Sequence, residues 1–273
     1  MENVTVEGEI YEGHVAKQRL TSEEIEKLEA QNTRLVSDFQ AQKLEINAKK
    51  HWDLFYKRNE MKFFKDRHWT TREFEELLEL GCGGKYLLEV GCGVGNLIYP
   101  LLEDGISFKK IYACDLSPRA IEFLMKHELF NPEKIHAFQA DITTDGCFQE
   151  IDAAVNVATF IFVLSAVHPD HFSKVISNVY HIMDKSGLVL FRDYGRYDMA
   201  QLRFKPGHKI SENFYMRQDG TRSYYFSTEE IQSLFESQGF KTVNCSYVQR
   251  RTINPKENIN VPRIFVQGKF IKS

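Results

Sequence analysis

The chain has little that would mark a secreted, membrane-bound or metal-binding protein. It has five cysteines in 273 residues, Cys82, Cys92, Cys114, Cys147 and Cys245. Their odd number and lack of C-x-x-C spacing support neither a disulfide framework nor a zinc site, and no metal ligand set is expected. The opening MENVTVEGEIYEGH has no basic flank and apolar core, so no signal peptide is expected there. No apolar run approaches the roughly 20 residues that a membrane span needs, so no membrane association and a cytoplasmic, possibly also nuclear, location are expected. Prolines are few (7), and neither internal repeats nor low-complexity tracts appear. A net charge of −3 argues against a generic nucleic-acid binder.

What is present is a chain long enough to bury one sizeable core, with 13% aromatic residues. Leu87 to Asn96 read LLEVGCGVGN, an apolar strand running into a glycine turn, and Asp115 follows Gly95 by 20 residues at the end of KIYACD. Glycines at 91, 93 and 95 let the backbone bend sharply and approach a ligand, and an aspartate after the next strand suits a ribose hydroxyl pair. Dinucleotide enzymes favour G-x-G-x-x-G, whereas this turn is G-x-G-x-G with acidic Glu89 just before it. A pyrophosphate would be repelled by Glu89, while a zwitterionic methionine end carrying an amino group and a sulfonium would be attracted. The turn resembles motif I of class I S-adenosylmethionine methyltransferases, and Asp141, ending KIHAFQAD, adds to that resemblance.

The pattern around the turn alternates strand and helix: 86–90, 96–103, 110–114, 118–128, 135–139, then a strand over 151–161, a helix over 169–183 and a strand over 187–192. Such alternation predicts an α/β, Rossmann-like fold, a seven-stranded mostly parallel sheet with helices on both faces. The segments 241–250 and 261–271 complete it as two antiparallel strands. Ligands bind at the carboxyl ends of such strands beside the topological switch, where Gly91, Asp115, Asp141 and Ile161 are expected to converge. Residues 1–47 read as an exposed amphipathic helical arm, with Thr21 or Ser22 as N-cap and apolar positions at three-to-four spacing from Ile25. The methyltransferase domain is expected over 48–273. Its cap helices span 48–80, with Trp52 and Tyr56 on one face and Thr70 or Thr71 capping a helix that reaches Leu80. The aperiodic stretch 194–225 reads as a substrate-facing insertion.

Charge is unevenly placed. Between Lys49 and Arg72 eight basic residues face three acids and interleave with Trp52, Phe55, Tyr56, Phe63, Phe64 and Trp69. Cations neutralise phosphates while rings stack on bases, although the same residues also suit a solvated helix face over a small aromatic core.

Several stretches go further: WDLFYKRN, FFKDRHWTTREFEEL, ACDLSPRAIEF, FVLSAVHPD, LFRDYGRYD and ENFYMRQDGTRSYYF. Together they resemble the tRNA N3-methylcytidine methyltransferases, from about Leu35 to the end. Met1 to Leu20, 81–85 and 153–158 depart from the pattern. The resemblance implies methyl transfer from S-adenosylmethionine to N3 of the cytidine at position 32 in the anticodon loop of serine tRNAs. It also implies seryl-tRNA synthetase as partner to an enzyme that is monomeric on its own. Carried over by residue, Trp52 and Tyr56 lie over the cofactor, Glu89, Gly91 and Gly93 meet its methionine end, and Asp115 takes the ribose. Asp141 with Ile142 meets the adenine, and Ile161 lines the pocket. Asp193 and Tyr194 are the catalytic candidates, the former for the cationic product and exocyclic amine, the latter for stacking. Phe64, Arg67, His68 and Trp69 are placed near the base, and Arg203, Arg217 and Arg222 at phosphates. The glycine turn and aspartates alone also allow a methyltransferase of another RNA, a protein or a small molecule, or a non-catalytic subunit of this fold.

Overall fold

The computed structural model describes residues 4–6, 20–60, 67–81, 84–254 and 259–273, with the backbone alone described at 4–6, 252–254 and 259–260. Its strands are β1 (Val4–Val6), β2 (Tyr86–Val90), β3 (Lys110–Asp115), β4 (Ile135–Gln139), β5 (Val155–Ile161), β6 (Met183–Tyr194), β7 (Lys209–Ser211), β8 (Phe214–Met216), β9 (Arg222–Tyr224), β10 (Phe240–Asn254) and β11 (Ile259–Lys272). The helices are α1 (Ser22–Asn32), α2 (Asp38–Ile46), α3 (Ala48–Asn59), α4 (Trp69–Glu73), α5 (Glu76–Gly81), α6 (Ile98–Glu103), α7 (Pro118–Met125), α8 (Phe172–Ile182), α9 (Met199–Leu202) and α10 (Thr228–Ser237).

The seven expected strands form one sheet in the order β10-β11-β6-β5-β2-β3-β4, and the short β1 adds an eighth at the β10 edge. From β6 to β4 every neighbour is parallel, and β11 and β10 close the sheet antiparallel. The strand order reverses between β2 and β5, so the crevice for a ligand opens at their carboxyl ends. Strands β2 and β3 read as apolar runs because helices cover both faces, leaving all but their first residues buried. Alternation sends Leu88, Val90 and Phe160 into one core with α8 and α10. It sends Leu87, Val157 and Ile161 into the other, with α6 and α7. Ser117 caps α7, its hydroxyl accepting from the Ala120 amide, with Pro118 in the first turn.

Two local readings need correction. Thr70 and Thr71 do not cap a helix; they lie inside α4, where their hydroxyls donate back to the Arg67 and His68 carbonyls. The helix expected to reach Leu80 breaks at Phe74 into α4 and α5, because fully buried Phe74 adopts a non-helical conformation to enter the core.

The arm segment holds two helices. Thr21 and Glu24 form the capping box that starts α1, and Ser37 caps α2. Both are docked on the 194–225 insertion, which is itself ordered as α9 and a three-stranded antiparallel sheet, β7-β8-β9. Gln31 is fully buried: its amide donates to the Gln201 carbonyl at 2.9 Å, and its oxygen accepts from the Tyr215 hydroxyl at 2.9 Å. The Val36 amide donates to the Lys209 carbonyl at 2.8 Å, and the Lys209 ammonium reaches Asn32 at 2.7 Å. Local periodicity cannot reveal this docking, because its partners lie about 170 residues downstream. Replacing Gln31 with Ala leaves a buried tyrosine hydroxyl one acceptor short. The expected loss is about 1–3 kcal/mol of unfolding free energy, seen as a lower urea midpoint with an unchanged slope.

Candidate active site

The turn after β2 is shaped by its glycines. Gly91 and Gly93 have φ of 64° and 54°, in the left-handed region that disfavours a side chain. A Cβ at Gly91 would lie 2.5 Å from Val163, and one at Gly93 would lie 2.9 Å from the Tyr56 hydroxyl. The Gly93 amide donates to Asp115 Oδ2 at 3.0 Å and the Ser117 amide to Oδ1 at 2.8 Å, so turn and aspartate fix each other.

Above the turn lies a cavity of about 340 Å³ bordered by Trp52, Tyr56, Gly91, Gly93, Asp115 and Asp141, with Ile142 beside them. Helix α3 brings Trp52 and Tyr56 over it, their rings 6.2 Å apart. Asp53 anchors that helix: it accepts from the Ser117 hydroxyl at 3.0 Å and the Arg119 amide at 3.3 Å at the start of α7. Sequence reasoning missed Asp53, whose only signal was an acid within a basic stretch. Asp141 uses Oδ1 to accept from the Thr143 amide and hydroxyl, which shapes the loop carrying Ile142. Ile161 has its side chain in the core and its carbonyl accepting from Arg67 at 3.1 Å. The wall is formed by the next two residues, Phe162 and Val163. Phe162 holds φ of 60°, a costly conformation for an aromatic residue, at the switch-point end of β5.

Charge beneath the cavity is strongly desolvated. Glu89 is 1% exposed, its Oε2 has no hydrogen-bond partner, and burial pushes its carboxyl up to about 8 against the opposing pull of Arg67. Burial raises Asp115 to about 6, while the Ser117 and Gly93 amides hold it down. The same desolvation lowers the Arg67 guanidinium, which Glu89, Tyr56, Tyr194 and Asp193 oppose.

Asp193 and Tyr194 end β6 next to this group. Asp193 is fully buried, accepting from the Ser165 amide at 2.9 Å through Oδ2 and from the Tyr194 amide at 2.9 Å through Oδ1; burial raises its carboxyl to about 6. Tyr194 packs 5.1 Å from Phe162, with Arg217 5.2 Å and Arg263 5.9 Å from its ring centre. Asp193 and Tyr194 do not border the cavity itself.

The other substrate-side residues do not converge as a group. Arg67 borders the cavity, and Arg222 borders it too, with one nitrogen against Glu45 and another donating to the Ala166 carbonyl at 3.2 Å. Trp69 packs under the buried Arg192 guanidinium at 4.3 Å. The exposed His68 ring lies 3.6 Å from both Glu103 and Asp104, and Arg203 is exposed at the end of α9. Phe64 lies outside the described residues.

The residues present fit a methionine-derived nucleoside. Asp115 borders the cavity, and the turn leaves no room for a Cβ. Glu89, which does not itself border the cavity, puts an unpartnered buried oxygen at the end of β2 just before the turn, an environment that suits a cationic amino group. A parallel sheet with this switch point, glycine turn and paired aspartates defines a class I S-adenosylmethionine-dependent methyltransferase. The family described as "Methyltransferase domain" matches residues 55–244. Among solved structures, an S-adenosylmethionine-dependent methyltransferase from Anabaena variabilis superposes with a TM-score of 0.60 at 12% identity, covering 83% of this chain and 96% of that one. The 1,6-didemethyltoxoflavin-N1-methyltransferase of Burkholderia thailandensis gives 0.56 at 15%, covering 84% and 89%. The human tRNA N(3)-cytidine methyltransferase METTL6 is 52% identical over 93% of this chain and 90% of its own length. The tRNA N(3)-methylcytidine methyltransferase trm141 of Schizosaccharomyces pombe is 43% identical over 87% and 97%. The chain therefore belongs to the tRNA N3-methylcytidine methyltransferases.

Gly93→Ala is expected to abolish S-adenosylhomocysteine binding in a calorimetric titration. Gly105→Ala, also at positive φ (77°) but with open space around its Cβ, should cost about 1 kcal/mol of stability and leave affinity unchanged.

Proposed function

We propose that this enzyme forms N3-methylcytidine at position 32 of the anticodon loop of serine tRNAs, with seryl-tRNA synthetase as the partner that delivers the tRNA. The observation that carries the reading is the adjacency of the nucleoside cavity to the Asp193–Tyr194 end of β6, ringed by Arg67, Arg217 and Arg263. The choice of tRNA and position is supported by the resemblance carried by FFKDRHW and RQDGTRSYYF.

When bound, S-adenosylmethionine supplies an electrophilic methyl group on a sulfonium. Cytosine N3 carries its lone pair in the ring plane and no proton at neutral pH, so no general base is required. Transfer of that methyl to N3 would leave the bond pair on sulfur and the product ring cationic. The residues therefore act by holding geometry and charge. Asp115 fixes the ribose, Trp52 and Tyr56 cover the cavity from α3, and buried Phe55 and Val94 behind them help exclude water. Asp193, held rigid by two amides and buried off the cavity, acts on the developing positive charge through its field rather than by contact. Tyr194, flanked by two guanidiniums, offers a face for an unstacked base. Loop bases cost little to unstack, which suits a site that reads one base out of its helix.

A net charge of −3 and an acidic start to α1 (Glu23, Glu24) weaken attraction to phosphates. Labelled methyl transfer to serine tRNA transcripts should therefore rise at least tenfold when seryl-tRNA synthetase is added, roughly the yield of one or two extra phosphate contacts. It should vanish when the cytidine at position 32 is replaced by uridine. Asp193→Asn should keep S-adenosylhomocysteine affinity and lose more than about tenfold in transfer. Equal label on the uridine transcript would redirect the search to another base or substrate.

A further inference from the structure

Glu45 lies in the last turn of α2 in the arm, and Arg222 begins β9 in the insertion; both border the cofactor cavity, and their side chains meet at its border as an ion pair. Neither segment belongs to the parallel sheet, so the mouth of the cavity is bridged by two elements added to the core. Arg222 is buried, with its guanidinium also 5.5 Å over the Phe214 ring and one nitrogen donating to the Ala166 carbonyl at 3.2 Å. Ala166 follows Ser165, whose amide holds Asp193. A charge pair spanning the rim is thus linked by two hydrogen-bonded steps to the end of β6.

We propose that Glu45 and Arg222 form a latch that retains the nucleoside cofactor and its product, coupling their release to the seating of the arm on the insertion. Arg222 is on this account a wall of the cofactor cavity, its guanidinium already committed to Glu45, Phe214 and the Ala166 carbonyl rather than free for a tRNA phosphate. Opening the mouth requires α2 to separate from β9, which breaks the pair while the sheet and the glycine turn stay in place. Glu45 is 36% exposed although the oxygen turned to Arg222 is itself buried, so dissolved ions reach the pair as α2 begins to lift and screen its re-forming.

The proposal rests on the cavity being the S-adenosylmethionine site; total loss of S-adenosylhomocysteine binding by the wild type would remove that premise, whereas altered release leaves it intact. The test is stopped-flow release of S-adenosylhomocysteine from the full chain, followed by the fluorescence of Trp52 at the cavity. Glu45→Gln, on the exposed side of the pair, should release it roughly fivefold faster with an unchanged melting temperature. Wild-type release should quicken as sodium chloride rises from 50 to 500 mM, and Glu45→Gln release should lose that dependence. Equal release rates, or the same salt slope in both proteins, would overturn the latch. If Glu45→Gln melts early, Glu45→Asp decides: partial restoration of slow, salt-sensitive release supports the latch, and release as fast as that of Glu45→Gln overturns it.

Discussion

The half-buried charge of Arg67 is the constraint on which the site depends. Its guanidinium is partly withdrawn from water, donates to the Ile161 carbonyl, lies 5.7 Å over the Phe162 ring and is opposed by the acidic groups of Glu89 and Asp193. Its own amide donates to the Asn96 carbonyl just past the glycine turn. One residue therefore joins the cap segment to the ends of β2, β5 and β6. A cation there relieves Glu89, whose burial otherwise favours its neutral form, while the Arg217 guanidinium acts in the same way on Asp193. Without Arg67, Glu89 would share a water-poor region with Asp115 and no counter-charge from the cap.

The additions to the core follow from that constraint. The cap must be held against the sheet if Arg67 is to stay in place, and Glu73 does so by pairing with buried Arg192 at 3.2 Å and with Arg250. Trp69 stacks on the same Arg192 guanidinium, so one cation anchors both ends of α4. Next to it, Asp198 accepts from Arg263 and from the Ile264 and Ala200 amides, which locks the start of the insertion to β11. The arm then closes over the insertion through Gln31, Asn32 and Glu45. Most of the polar groups these layers bury find partners, as a low-dielectric interior demands, and the Glu89 oxygen at the end of β2 is an exception.

The sheet was legible in the sequence because its strands are local apolar runs and its turn is a local glycine pattern. Asp115 was legible for the same reason, a fixed spacing after a turn. What could not be read was contact made across long separations. Nothing near Trp69 announces that Arg192 lies over it, and its basic neighbours read equally well as an RNA-facing strip. Nothing near Arg222 announces that Glu45, distant in the chain, lies against it. Ile161 sits one residue before the wall it was expected to form, because Phe162 turns to positive φ and presents itself with Val163 instead. The insertion hid two layers of hydrogen-bonded structure because its strands are only three residues long, too short to show a period.

The electrostatic account is tested most directly by titrating the Glu89 side-chain carboxyl by carbon NMR, in the wild type and in Arg67→Met. The fold raises this group above its unfolded value, so ionisation costs stability as pH climbs from the ordinary carboxylate range to about 8. A midpoint near 8 in the wild type that moves higher once the guanidinium is gone is the expected result. A midpoint in the ordinary carboxylate range, or one indifferent to the loss of Arg67, would contradict it.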